Sequence, residues 1–202
     1  MRTRGEAHRE AHEKILETAT ELVFRGGLES LSLRAIAREL GFGPASLYGY
    51  FDSKEAILET LGARAAESLR GSLMRVVSRL GDDRSMLTAL GVSYVRWARA
   101  NPEDFQFLCQ RVLSRRQSTK RHARSRSSVH TLFVEIVEAV QRAHQAGAIS
   151  GETPGGVVHL AFGLWAMAHG LASLQVTQRS TRHADFEAIE RALFDALVTG
   201  WR

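Results

Sequence analysis

The chain has 202 residues but only one cysteine, Cys109, and only three prolines. A lone cysteine cannot form a disulfide within the chain, which fits a reducing compartment. The sequence also lacks sustained alternation of apolar and polar residues, the pattern of a half-buried strand. What remains is long stretches rich in Ala, Leu, Glu and Arg at helical spacing. We therefore predict an all-α protein of about nine helices.

Long hydrophobic segments are scarce as well. The most apolar stretch, residues 157–174, is interrupted by His159, Gly163, His169 and Gly170. The first ten residues, MRTRGEAHRE, have no apolar centre of the kind found in secretion signals. These features predict a cytoplasmic chain with no transmembrane span and no membrane partner.

Patterns typical of catalytic and metal centres are absent from the sequence. It contains no glycine-rich phosphate loop, no nucleophile elbow and no Cys/His cluster with zinc spacing. His8 and His12 lie one helical turn apart, but no third ligand accompanies them, so we interpret them as solvated helix surface. We predict no catalytic residue, no metal and no cofactor. Two alternatives remain: a small helical enzyme using His169 as acid or base, and an adaptor that binds only another protein.

The net charge of +5 is unevenly distributed. Residues 1–55 carry eight basic and nine acidic side chains, whereas residues 111–126 carry seven basic and no acidic ones. We interpret the basic run 111–126 as a solvent-exposed connection, with contact to DNA phosphates as the alternative. Overall charge therefore does not identify a DNA-binding surface.

Two short helices separated by a tight turn are predicted between residues 30 and 55. The first spans about Leu33 to Leu40, with apolar residues at helical spacing, and Gly41 can take the positive φ of a helix end. Pro44 then begins a second helix that extends to about Phe51. This arrangement predicts a helix-turn-helix unit.

The outer face of the second helix carries small and aromatic side chains. Small residues let a helix approach base edges in a major groove about 12 Å wide, and tyrosine hydroxyls can bind phosphates. The alternative is an ordinary helical hairpin with exposed tyrosines. The predicted DNA contacts are Ser32, Arg34, Gly43, Pro44, Ala45, Ser46, Tyr48, Tyr50 and Lys54.

Seven further helices are predicted from apolar periodicity and from helix-ending residues. Residues 1–6 precede them as a mobile arm, and Asp52 with Glu55 has the spacing of a capping box at the start of a long helix. The predicted helices span residues 6–25, 52–80, 84–100, 102–113, 127–146, 154–176 and 184–201.

The residues from Ile15 to Leu61 resemble the N-terminal part of TetR-type regulators. The resemblance lies in Ile36-Ala37, Leu40-Gly41-Phe42, Leu47-Tyr48 with Phe51, and Ser53-Lys54-Glu55. It implies a DNA-binding domain at residues 1–52 and an effector-binding and dimerisation domain at residues 53–202. It further implies a homodimer formed through the last two helices that binds an inverted-repeat operator. Repression released by an effector is expected, and activation by the same fold is the alternative.

The C-terminal part resembles the TetR subgroup named after its Trp, His and Gly. Trp165, His169 and Gly170, with residues 101–105, carry this likeness. Phe162, Trp165 and His169 share one helix face and are predicted to line a cavity for a small apolar or amphipathic effector. The alternative is a packed core with one hydrogen-bonded histidine. Further predicted walls are Trp97, Phe105, Leu108 and Phe133.

Overall fold

The computed structural model describes residues 3–81, 83–113, 123–150, 155–177 and 186–201. Within these ranges the chain forms nine α-helices and one 3₁₀ turn and has no strand, which confirms the predicted all-α class. The helices are α1 (Arg4–Gly26), α2 (Leu33–Leu40), α3 (Pro44–Leu47), α4 (Lys54–Leu80), α5 (Arg84–Ala100), α6 (Pro102–Leu113), α7 (Ala123–Gln145), α8 (Gly156–Thr177) and α9 (Phe186–Thr199).

Helix α1 begins two residues earlier than predicted, because Thr3 caps it. The Glu6 N–H donates to Thr3 Oγ1 at 3.3 Å, and the Thr3 N–H donates to Glu6 Oε2 at 2.8 Å. This reciprocal pair satisfies donors that the first turn of a helix leaves free. The prediction of a mobile arm is therefore wrong for residues 4–6, while Arg2 lies outside the described residues.

Helices α3 and α4 also differ from their predicted bounds. Regular α-helix in α3 ends at Leu47 rather than near Phe51, and a hydrogen-bonded turn follows that includes Gly49, a poor helix former. The cap of α4 is Ser53 rather than Asp52, because the Ala56 N–H donates to Ser53 Oγ at 3.2 Å.

The basic run 111–126 is not wholly a connection. Its first three residues end α6, and its last four lie in α7, which begins at Ala123 rather than near residue 127. Arginine is a good helix former, so a basic stretch without apolar periodicity can still extend a helix. Residues 114–122 lie outside the described part of the chain, and the predicted exposure of the side chains stays a prediction along the whole run.

The helices pack into two compact units whose boundary falls inside α4. The first contains the described residues of Met1–Ala65 and Glu103–Thr119, and the second those of Ala66–Pro102 and Lys120–Arg202. The first unit therefore includes α6, which the predicted division at residue 52 does not place there. Its core is built from α1, α2, α3, the start of α4 and Phe107.

The second unit is centred on α5, which packs against α8 and α9. Gly91 of α5 lies against the fully buried ring of Phe194 in α9. The buried carboxylate of Glu190 accepts from Gln175 Nε2 at 2.7 Å and from Arg99 Nη1 at 3.1 Å. These partners matter because a buried charge is costly when it is unpaired.

Helix α8 is the one described helix that is long and apolar enough to cross a membrane by length and composition alone. Such helices also occur in the cores of soluble proteins, so this property is weak evidence for a membrane span. Only 28% of its most apolar window is buried within the single chain. Phe162 and Leu174 are among its exposed apolar side chains.

Candidate nucleic-acid interface and ligand cluster

The turn between α2 and α3 is fixed by its own backbone and caps. Ser32 Oγ accepts from the Ala35 N–H at 3.1 Å, which caps the start of α2. Gly41 has φ +67°, and the Phe42 N–H bonds back to the Ala37 carbonyl at 2.9 Å. A left-handed glycine with this bond is a standard helix end, so the sequence determines the turn locally.

Helix α3 presents one side chain to the core and leaves its other described side chains in solvent. Leu47 is fully buried, whereas Tyr48 is 60% exposed and Ser46 and Gly43 are exposed. The side chains of Pro44 and Ala45 lie outside the described part. Ser46 and Tyr48 of the predicted outer face are therefore exposed, and contact with DNA stays a prediction.

The predicted contacts at the first helix are exposed, and Tyr50 is half-buried. Ser32 and Arg34 are open to solvent, although Ser32 Oγ already serves as a helix cap. The Tyr50 ring stacks on His8 of α1, with centroids 4.6 Å apart, and Phe51 stacks on His12 at 4.5 Å. His8 is exposed, in agreement with its interpretation as solvated helix surface, whereas His12 is half-buried against Phe51.

Lys54 is less available for a phosphate than predicted. Its Nζ donates to the Leu28 carbonyl at 2.9 Å, and the bond is partly buried. The ammonium thus ties the start of α4 to the 3₁₀ turn Leu28–Ser30. An ammonium has three donors, so a phosphate contact is still open to Lys54.

A further bridge joins α1 to α4 within the same unit. Arg64 donates through both terminal nitrogens to Glu13, at 2.6 and 2.7 Å. This paired bonding lowers the pKa of Glu13 below its ordinary value. The bridge is solvent-exposed, so it orients the helices more than it stabilises them. Nothing in the sequence pattern indicated it, because the partners are 51 residues apart.

Part of the predicted ligand lining comes together in the second unit. The Trp165 ring lies 6.1 Å from that of Phe133 and 5.7 Å from that of Phe162, and 5.8 Å from His169. Phe162 is more than half exposed, so it is not an enclosed wall in the single chain. The remaining predicted walls are buried: Trp97 in the second unit, and Phe105 and Leu108 in the first.

His169 has a partner that the sequence did not identify. Tyr94 of α5 hydrogen-bonds to His169 Nδ1 at 2.8 Å, and Tyr94 is itself 3% exposed. Burial lowers the pKa of His169 below its ordinary value, so the ring is neutral near pH 7. Among the described residues, no group of three or more His, Cys, Asp or Glu side chains is placed to hold a metal ion.

Two curated bacterial regulators are similar to part of this chain. The first is an uncharacterised helix-turn-helix transcriptional regulator of Bacillus subtilis, YobS, which is 28% identical over 102 residues, 50% of this chain and 53% of that protein. The second is the nicotine-responsive transcriptional repressor HdnoR of Paenarthrobacter nicotinovorans, 29% identical over 98 residues, 48% of this chain and 50% of that protein. The chain spans about half the length of the curated relatives it matches.

The fold and two family patterns agree with these relatives. The TetR family transcriptional regulator PfmR of Thermus thermophilus superposes with a TM-score of 0.69 at 20% identity, covering 98% of this chain and 97% of that one. Residues 15–61 match the family of bacterial regulatory proteins called tetR, and residues 87–200 match the tetracyclin repressor-like C-terminal domain. That family consists of regulators rather than enzymes. The chain therefore belongs to the TetR family of bacterial regulatory proteins.

Proposed function

We propose that this chain is a cytoplasmic, homodimeric transcriptional repressor that leaves an inverted-repeat operator when a small effector binds. The observation that carries the DNA-binding part is the shape of α2 and α3. Leu47 anchors α3 in the core, while Tyr48 and Ser46 point into solvent beside a turn fixed by Gly41. A short helix with a small, exposed outer face fits the major groove.

The DNA contacts that we propose are Ser32, Arg34, Gly43, Pro44, Ala45, Ser46, Tyr48, Tyr50 and Lys54. Tyr48 is the strongest candidate, because a 60% exposed aromatic side chain has little role in packing. Tyr50 stacks on His8, and Lys54 hydrogen-bonds to the Leu28 carbonyl. We therefore assign each of them two roles: it positions its own part of the domain and it contacts the DNA backbone.

Dimerisation is supported by the exposed apolar side chains of α8 and α9. Phe162 and Leu174 of α8 and Ile189 of α9 are each more than half exposed, and Leu193 is 40% exposed. A second copy of the chain would bury them, and a two-fold dimer would place two copies of α3 against two half-sites.

Ile189→Glu should therefore yield monomer in analytical ultracentrifugation. The matched control is Val134→Glu on α7, which is 38% exposed and should remain dimeric. An unchanged dimer in Ile189→Glu would place the interface elsewhere.

Repression and effector release rest on the relative HdnoR, which is named a nicotine-responsive repressor, and on the aromatic cluster around Trp165. We propose that an apolar or amphipathic effector binds in the second unit among Trp97, Phe133, Phe162, Trp165 and His169 and shifts α4. Phe105 and Leu108, predicted as further walls, lie in the first unit. A hundredfold release from DNA requires the effector to favour the released state by about 2.7 kcal/mol. Membership of the Trp-His-Gly subgroup stays a prediction, carried by Trp165, His169 and Gly170.

The test is selection of bound fragments from a random double-stranded DNA library. A salt concentration of about 0.15 M suppresses purely electrostatic binding. Enrichment of an inverted repeat supports a dimeric operator reader, and an enriched site without symmetry contradicts the two-fold arrangement. If correctly folded dimer enriches nothing, also after extraction of bound small molecules, the DNA-binding proposal is wrong.

A further inference from the structure

A cleft of about 540 Å³ lies between the C-terminal half of α4 and helix α5, within the second unit. Its apolar lining comes from Val76 and Leu80 of α4 and from Ala89 and Trp97 of α5. The volume falls within the roughly 300–1,000 Å³ typical of small-molecule sites. The cleft is large enough for a ligand with an apolar body.

The polar part of the lining is strongly cationic. Arg75 and Arg79 of α4 and Arg96 of α5 all line the cleft, and none of its described lining residues is acidic. Arg75 and Arg79 lie one turn apart on the same helix, where two like charges repel each other. Arg96 is the one of the three with a carboxylate partner among the described residues, Glu187 of α9.

Neutral hydrogen-bonding groups accompany the arginines. Ser93 of α5 and Ser72 of α4 also line the cleft, and Ser72 Oγ already accepts from Arg75 Nη2 at 3.0 Å. A guanidinium offers a planar fork of donors that matches the oxygens of a carboxylate or phosphate. The cleft therefore combines an apolar surface with donors for one anionic head.

We propose that this cleft binds an organic anion, whose carboxylate or phosphate head contacts Arg75 and Arg79 and whose apolar body covers Val76, Leu80 and Ala89. The anion relieves the repulsion between the two arginines and buries apolar surface that is otherwise wet. The cleft shares Trp97 with the effector residues proposed above, but neither Trp165 nor His169 lines it. Its occupancy requires neither DNA nor a partner, so it stands apart from the proposed operator binding.

The test is calorimetric titration of the full chain, without DNA, with four probes. Decanoate and decyl phosphate present the two anionic heads, decanol presents the tail alone, and inorganic phosphate presents a head alone. We expect at least one of the two amphipathic anions to bind about tenfold or more tightly than decanol and than inorganic phosphate. The tighter of the two identifies the head that the site prefers.

Variants locate the site and control for bulk charge. Arg79→Gln should lower the affinity for the preferred anion about tenfold. Arg142→Gln on α7, outside the cleft, should change that affinity less than twofold. Ser93→Glu places a negative charge in the cleft at a half-exposed helix position and provides a second test if Arg79→Gln does not fold. The proposal is overturned if decanol binds as tightly as the anions, if neither anion binds, or if Arg142→Gln and Arg79→Gln lose equal affinity.

Discussion

Helices α5 and α9 approach so closely at Gly91 that the position should reject even a methyl group. A Cβ atom there would overlap Cδ1 and Cε1 of Phe194 and lie 2.6 Å from its Cζ. Carbon atoms at their optimal separation are about 3.5–4.0 Å apart. The Phe194 ring is fully buried, so it cannot move into solvent to make room.

We expect Gly91→Ala to lower the free energy of unfolding by about 2 kcal/mol. Overpacking a core typically costs about 1–3 kcal/mol, and the depth of this overlap places it at the upper end, about 3 kcal/mol. Replacing a helical glycine by alanine returns about 1 kcal/mol, which leaves a net loss of about 2 kcal/mol. For a chain of this size, a loss of about 2 kcal/mol lowers the melting temperature by roughly 4–8 °C. Denaturant unfolding followed by circular dichroism measures the free energy directly.

Gly71→Ala on α4 is the matched control. The only atom near its added Cβ is Nη1 of Arg75 at 3.6 Å, an ordinary contact, so this variant should gain up to about 1 kcal/mol. In the double variant Gly91→Ala/Phe194→Leu, the smaller side chain relieves the overlap, and the loss should be smaller than the sum of the two single losses. Equal stability of Gly91→Ala and Gly71→Ala, or strict additivity with Phe194→Leu, would refute the close approach of α5 and α9.

Three further predictions concern single side chains. Tyr48→Ala should weaken operator binding about tenfold or more without changing stability. The control Phe24→Ala removes an equally exposed aromatic ring and should change the binding affinity less than twofold. Equal losses of affinity in a mobility-shift titration would remove Tyr48 from the interface. Burial raises the pKa of Cys109 to about 11 from an ordinary value of 9.0. At pH 8 the thiolate fraction should therefore be about a hundredfold lower in the folded than in the unfolded chain, and the rate of alkylation by iodoacetamide should fall with it. Similar rates in the two states would show that the thiol is not shielded. Burial lowers the pKa of His169, so the imidazole is protonated in the unfolded chain before it is protonated in the folded chain as the pH falls below the ordinary value of 6.5. The free energy of unfolding should therefore decline there more steeply in the wild type than in His169→Gln. Identical pH profiles between pH 7.5 and 5.5 would contradict the burial of this ring.

The helix-turn-helix unit could be predicted because its determinants are local. Gly41 ends α2 and Pro44 begins α3, and each acts through its own backbone rather than through distant partners. In α1, Ile15, Ala19 and Val23 recur at the spacing of one helix face, and all three are buried. Local signals of this kind determine where elements form and which face turns inward.

Contacts between distant residues could not be predicted, because no local pattern encodes them. The Lys54 ammonium bonds a carbonyl 26 residues away, and Tyr94 meets His169 across 75 residues. In the sequence, Tyr94 is indistinguishable from any other aromatic core residue of α5. The sequence therefore indicated a histidine on an apolar helix face, but it did not indicate the hydroxyl that hydrogen-bonds to one of its ring nitrogens.

Competing local signals explain the errors at helix ends. Asp52 and Ser53 are adjacent and both are good caps, so spacing to Glu55 favoured Asp52, whereas the folded chain uses Ser53. The same ambiguity affects α3, where Leu47 and Phe51 have the spacing of a continuing helix. Both nonetheless pack into the core of the first unit.

The most direct test of the account is a hydroxyl-radical footprint of the full chain on a duplex recovered by the random-library selection. Two copies of α3 bound across a two-fold axis should protect two patches on one face of the duplex, with centres about 34–36 Å apart or a multiple of that distance. Both patches should weaken together in Tyr48→Ala. A single protected patch, or uniform protection along the duplex, would contradict a dimeric helix-turn-helix reader.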